Sequence, residues 1–253
     1  FLPLLAPMSE VAGRMATQVG AQMLTKIEGG MGLLMGGTAG VQAAPVVILG
    51  PGTVGLSPAK VAMGMGPRVT ILYSHPFPLR QIDDLFGGRI QTLASNAFNL
   101  AAAPKDADLL VGSVLIPGAL TPKLVTEAMV KTMKPGSAIV DVAIDQGGCI
   151  EPTAKHGATY HDKPTFKYPV NGGEVVCYSV GNMPGAVART STFTLTNATM
   201  PYMVDLANKG WKKACQDDKA LARGINTYDG KVYFKGVSDA LGYELHCTCD
   251  ILK

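Results

Sequence analysis

Charge and aromatic rings are scarce in this chain. Asp, Glu, Lys and Arg make up 16% of its 253 residues, and Phe, Trp and Tyr 6%, with a single tryptophan. The net charge of +3 is spread along the sequence rather than gathered into a stripe, so the electrostatic footprint of a nucleic-acid binder is missing. No G-x-S-x-G, P-loop or paired-carboxylate arrangement occurs, which removes the usual signals of serine hydrolysis, phosphoryl transfer and glycoside cleavage. Metal-ligand spacing is absent too. His75, His156, His161 and His246 fall in loop or tail sequence, none has a histidine or cysteine four residues on, and no metal is expected. The five cysteines match no zinc or thioredoxin spacing even where Cys247 and Cys249 stand one residue apart, and reduced thiols in a cytoplasmic protein are the expectation. A membrane-length apolar helix is lacking. Residues 29–59 carry no charge, but repeated glycines with Pro45, Pro51 and Pro58 interrupt the run, so no membrane partner is expected. The start, Phe1-Leu2-Pro3-Leu4-Leu5, has no basic leader and does not read as a signal peptide; opening on Phe, it reads as a processed chain or a fragment.

What remains is apolar and rich in turns: 47% hydrophobic residues and 30 glycines, enough for a substantial core in one large or two modest domains. The informative stretch is Val46-Val47-Ile48-Leu49-Gly50-Pro51-Gly52-Thr53-Val54-Gly55. A β-branched strand runs into a glycine turn that opens a helix. Gly50 permits the sharp turn, Gly52 lets backbone approach a pyrophosphate, and Gly55 lets helix pack on strand. The helix start at Thr53 and Val54 then offers unpaired N–H groups to the phosphates. One element of this dinucleotide fingerprint is missing. The next strand ends at Tyr73, where such a fold usually places an Asp or Glu for the adenosine ribose.

The pattern along the chain predicts a helix from Ser9 to Leu24 with Ser9 as its N-cap, a strand at 45–49, a helix from Thr53 to Met65 and a strand at 69–73. It continues with helices over 78–86 and 126–133, and with buried strands at 109–114, 137–142 and 175–180. This alternation predicts an α/β fold, a doubly wound parallel sheet of Rossmann type. Residues 1–188 would hold the linking helix and the dinucleotide-binding domain. Residues 189–253 would form the C-terminal helical part of an incomplete second domain, with a long helix over 191–209 and a short one over 237–241.

Such sheets bind ligands beyond the carboxyl ends of their strands. Three loops there carry unusual chemistry. Val114-Leu115-Ile116-Pro117-Gly118 reads either as an apolar wall for a nucleotide ring or as a plain buried turn. Asp141-Val142-Ala143-Ile144-Asp145 places two acids after an apolar strand, ahead of Gly147-Gly148. An acid there can bind a ribose, orient a substrate amine or relay a proton; the alternative is a turn-capping Asp. Asn182-Met183-Pro184-Gly185 reads either as a contact for a carboxamide or as a structural corner.

Residues 7–22 (PMSEVAGRMATQVGAQ), 133–149 (MKPGSAIVDVAIDQGGC), 182–192 (NMPGAVARTST), 194–202 (TLTNATMPY) and 206–211 (LANKGW) together resemble L-alanine dehydrogenase. The related transhydrogenase nucleotide subunit shares the glycine turn and the MKPGS element but not the AIDQGG and TNATMPY signatures, and stands as the alternative. The resemblance implies NAD-dependent oxidative deamination of L-alanine to pyruvate and ammonia, in a Rossmann-type domain joined to a substrate domain and assembled as a homo-hexamer. It implies that Asp145 is the catalytic carboxylate, near the nicotinamide ribose and the substrate amine. Ser9, Thr53, Ser95, Val114, Leu115, Val142, Asn182 and Met183 match cofactor-contacting positions, and Ala143 and Ile144 line the same loop. The family's N-terminal half, which supplies an Arg and a Lys for the substrate and a catalytic His, has no counterpart here, so a non-catalytic nucleotide-binding remnant is a second reading. Tyr73 in place of the ribose-binding Asp predicts weaker selection for NAD over NADP. Pro78 stands where the family often has a cation, and residues 151–175 look longer than usual.

Overall fold

The computed structural model describes residues 2–114 and 120–253, except for the side chains of Thr53 and Val54. The chain divides into two compact units, Phe1–Ser191 and Thr192–Lys253.

The first unit opens with α1 (Ala6–Met23) and continues through β1 (Pro45–Leu49), α2 (Thr53–Met65), β2 (Arg68–Tyr73), α3 (Pro76–Phe86), β3 (Gln91–Ala94) and α4 (Ala97–Asp106). It goes on with β4 (Leu109–Gly112), α5 (Glu127–Val130), β5 (Ala138–Asp141), α6 (Glu151–His156), β6 (Thr165–Val170) and β7 (Gly173–Tyr178). Seven strands form one sheet in the order β3-β2-β1-β4-β5-β7-β6. All neighbouring pairs are parallel except β6 and β7, which form an antiparallel hairpin at the edge. The expected doubly wound sheet is therefore present, with one edge strand reversed.

Alternation along each strand builds a core on both faces. Val46 and Ile48 join Leu109, Val111, Val140 and Val176 on one face; Val47 and Leu49 join Leu110, Ile139 and Cys177 on the other. Burying each such aliphatic side chain is worth about 1.5–3 kcal/mol. α1 lies close against the first face because Gly20 has no side chain: a Cβ there would meet Leu109 Cδ2 at 2.5 Å. The buried Thr17 hydroxyl donates to the Pro58 carbonyl of α2 at 2.8 Å, fastening the two helices together.

Several sequence expectations need correction. α1 starts three residues earlier than predicted, at Ala6, with Leu5 as its cap. Pro7 pre-sets a helical backbone in the first turn, and Ser9 lies inside the helix instead of capping it. β3, α4 and β6 were not anticipated. β3 and β6 are edge strands with mixed, half-exposed residues, and Pro169 in β6 sits where an edge strand tolerates it. His156 is not a loop residue: it ends α6 and stacks on Phe166 with ring centroids 3.7 Å apart.

In the second unit, α7 (Ala188–Asp217) enters from the first and carries a non-helical residue at Gly210, φ 73° and ψ 158°, which divides it into two helical pieces. α8 (Lys219–Ala222), the two-residue strands β8 (Thr227–Tyr228) and β9 (Lys231–Val232), and α9 (Lys235–Leu241) follow. Cys247 and Cys249 are joined by a disulfide, contrary to the expectation of reduced thiols throughout. Cys149, Cys177 and Cys215 are free and buried. No helix of the described residues is long and apolar enough to cross a membrane.

Candidate functional site

The glycine turn after β1 is built from close approaches that Gly50 and Gly55 permit. Gly50 has φ 97°, and its N–H donates to the Leu72 carbonyl at 3.0 Å, tying the turn to the end of β2. A Cβ on Gly55 would fall 1.7 Å from the Gly50 carbonyl oxygen, so the start of α2 packs directly on the turn. A Cβ on Gly52 would meet nothing within 4 Å. The open side of the turn is therefore the side on which an anionic group can approach, at the N-terminus of α2. Ser113, after β4, completes the turn from beneath: its hydroxyl lies 2.6 Å from the Leu49 carbonyl and 3.1 Å from that of Gly50. Sequence reasoning missed Ser113, since a lone serine after an apolar strand carries no signal of its own.

This geometry separates two substitutions. Gly55→Ala forces backbone apart and is expected to cost roughly 3 kcal/mol, lowering Tm by about 6–12 °C in a thermal melt. Gly52→Ala meets no atom and loses only N-cap preference, so it is expected to lower Tm by no more than about 4 °C.

Around the turn lie the ends of the neighbouring strands. Tyr73 closes β2, and its carbonyl accepts the Ser95 N–H at 2.9 Å, so the ends of β2 and β3 are fixed side by side. Val114 follows β4, and its Cγ2 is 3.1 Å from where a Gly50 Cβ would stand. Leu115 lies outside the described residues.

A second recess, about 280 Å³, opens beside α1 and the segments that follow β5 and β7. It is lined by Met8, Ser9 and Ala12 of α1, by Val142, Ala143, Asp145 and Gln146, and by Asn182 and Pro184. Ser9, Asp145 and Asn182 are thus brought together from three distant parts of the sequence. Ile144 and Met183 flank the recess but are themselves buried, at 6% and 2% exposure, and belong to the packing behind it. Asp145 presents an exposed carboxylate, yet the surrounding walls withdraw enough water to raise its pKa above the ordinary 3.8. Gly181 allows that position: a Cβ there would lie 2.9 Å from Asp145 Oδ1.

The segment carrying Asp145 is anchored from inside by the other acid, Asp141. Its buried carboxylate accepts from the N–H groups of Ala143 (3.2 Å), Cys149 (3.1 Å) and Ile150 (3.3 Å). The Thr153 hydroxyl stands 2.5 Å from Asp141 Oδ2 and 2.8 Å from the Ile150 carbonyl. Burial pushes the Asp141 carboxyl up, while these donors pull it back toward the ionised form. From outside, Lys123 reaches the carbonyls of Gly147 and Gly148, and the Thr121 N–H donates to the Gln146 carbonyl at 2.9 Å. Two acids that look alike in sequence are therefore divided by burial: Asp141 fastens the loop and Asp145 faces the recess. Burial raises the neighbouring thiols, Cys149 well above its usual value and Cys177 to about 12.

Comparison with known proteins gives consistent matches. The family described as "Alanine dehydrogenase/PNT, C-terminal domain" matches residues 16–235. A protein named alanine dehydrogenase from Bilophila wadsworthia (strain 3_1_6) is 96% identical over the whole chain, which covers 67% of that relative. A solved L-alanine dehydrogenase superimposes with a TM-score of 0.89 at 46% identity, covering 96% of this chain and 65% of the other. A transhydrogenase from Sinorhizobium meliloti is more distant, with a TM-score of 0.66 at 25% identity, covering 84% of this chain and 57% of the other. The chain spans about two thirds of the length of the two alanine dehydrogenases it matches.

Proposed function

The chain belongs to the alanine dehydrogenase/PNT C-terminal domain family, and from that premise we propose that it is the nucleotide-binding part of an NAD-dependent L-alanine dehydrogenase. The observation that carries the reading is the arrangement at the carboxyl ends of the strands. An open glycine turn suited to a pyrophosphate shares this edge of the sheet with a recess walled by Ser9, Asp145 and Asn182. In this reading Gly50, Gly52 and Gly55 shape the cradle, and the backbone N–H groups at Thr53 and Val54 face the phosphates. Tyr73 and Ser95 border the adenosine ribose, and Val114 walls the ring. Val142, Ala143 and Asn182 form the nicotinamide side, backed by the buried Ile144 and Met183.

NAD, when bound, supplies the hydride acceptor for oxidation at the substrate Cα. Asp145 is placed to hold the substrate ammonium group and to take up and return a proton as water adds and ammonia leaves. Its raised pKa brings it nearer the working pH, where a proton carrier is most effective. Residues 189–253 are assigned to the substrate domain, the whole enzyme to a cytoplasmic homo-hexamer, and the substrate pair to L-alanine and pyruvate.

The test is alanine-dependent reduction of NAD by the native protein, followed at the NADH absorbance, alongside NADH binding followed by fluorescence. Turnover together with binding supports the dehydrogenase. Binding without turnover supports the nucleotide-binding remnant, and hydride exchange between nucleotides with no amino acid present supports the transhydrogenase alternative. A finer prediction concerns the Asp145 approach. Gly181→Ala displaces the carboxylate without disturbing the core, and kcat is expected to fall about 10- to 100-fold. Stability should change by less than about 1 kcal/mol. An unchanged kcat would show that the Asp145 position in the recess does not matter.

A further inference from the structure

We propose that the carboxyl end of β2 makes the adenosine-ribose subsite tolerant of a 2′-phosphate, so that the protein binds NADP(H) as well as NAD(H). This rests on the nucleotide-site reading above and concerns which nucleotide that site admits.

The register places the subsite. Leu72 pairs with Leu49, the last residue of β1, and the Gly50 N–H reaches the Leu72 carbonyl. Tyr73 is thus the first residue of β2 beyond β1, beside the turn that holds the pyrophosphate. In such sheets a carboxylate here accepts hydrogen bonds from the ribose hydroxyls and repels a 2′-phosphate. Tyr73 does neither. Its ring is half-buried and meets the exposed His75 imidazole edge-on, with centroids 5.5 Å apart. The phenol is uncharged and its hydroxyl can donate to a phosphate oxygen.

No nearby acid takes over the missing role. From Tyr73 to Ile82 the sequence holds no Asp or Glu, and the first turn of α3 carries none. The next acid, Asp83, lies seven residues into α3, about 10 Å along the helix. There it lines a groove with Pro45, Arg68 and Gln91, at the opposite ends of the strands. The basic residues that follow Tyr73 in the chain are His75 and, one turn into α3, Arg80. Arg80 is exposed and makes no ion pair among the described residues. The local charge has changed from one that excludes a phosphate to one that admits it.

The experiment is a fluorescence titration of the native protein with NADH and NADPH, repeated on Tyr73→Asp, with thermal melts of both. The expected result is a native ratio of dissociation constants within about tenfold, and a shift of at least ~30-fold against NADPH in Tyr73→Asp. A native protein that binds NADH but takes NADPH more than about 100-fold more weakly overturns the proposal while leaving the nucleotide site standing. Equal ratios in native protein and variant overturn the role of Tyr73. If neither nucleotide binds, the nucleotide-site reading fails first, and this proposal with it. Should Tyr73→Asp fail to fold, the native ratio decides alone.

Discussion

Replacing Asp145 by Asn is expected to lower kcat for alanine oxidation by about three orders of magnitude, within the range that positioned acid–base groups contribute. NADH affinity should stay within about threefold, because the amide keeps the shape of the recess wall and the glycine turn is untouched. The pH profile carries the more searching part of the prediction. The carboxylate is the working form, and partial desolvation raises its pKa above the ordinary 3.8. Activity should therefore begin to fall, as pH is lowered, at a higher pH than an ordinary aspartate would give. Asp145→Asn should lack that acid limb. A variant that keeps most of its kcat, or that keeps the same limb, would remove Asp145 from the chemistry.

Asp141→Ala is expected to have the largest effect on stability. The substitution strands three N–H groups, those of Ala143, Cys149 and Ile150, in a buried pocket with no other acceptor in place. Each orphaned donor costs roughly 1–3 kcal/mol, so the loss should reach about 4 kcal/mol and lower Tm by about 8–16 °C. Thr153→Val removes a single hydroxyl and should cost only about 1 kcal/mol. A Tm within about 2 °C of the native value would mean that the donors find other acceptors and that the loop does not depend on Asp141.

These two acids mark the line between what was legible in the sequence and what was not. Asp141 ends the buried strand β5 and Asp145 follows it by one turn, and the sequence pattern offers the same roles to each. Family resemblance singles out Asp145, but nothing in the spacing says that Asp141 accepts from three backbone donors. Burial decides that, and burial belongs to the packed molecule. The same holds for Ser113 beneath the glycine turn and for Gly181, whose missing side chain makes room for Asp145 from a strand end far along the chain.

Other features failed to show for local reasons. β3 and β6 lie at the sheet edges and lack the continuous apolar run that betrays a buried strand. Ser9 has the chemistry of an N-cap, but Pro7 begins the helix earlier and leaves Ser9 facing the recess.

The sequence by itself determined the parts whose physics is local. A strand followed by Gly50, Gly52 and Gly55 specifies a turn of positive φ and close packing, because only glycine permits that backbone. Apolar runs specify strands buried on both faces, and the absence of an acid from Tyr73 to Ile82 is read directly from the letters. Tertiary structure alone decided which residues meet. Ser9, Asp145 and Asn182 share one recess because α1 packs across the sheet beside the segments after β5 and β7, a contact between segments far apart in the chain. Local preference carries no information about such a meeting. It exists only once burial of the core has fixed every strand in its register.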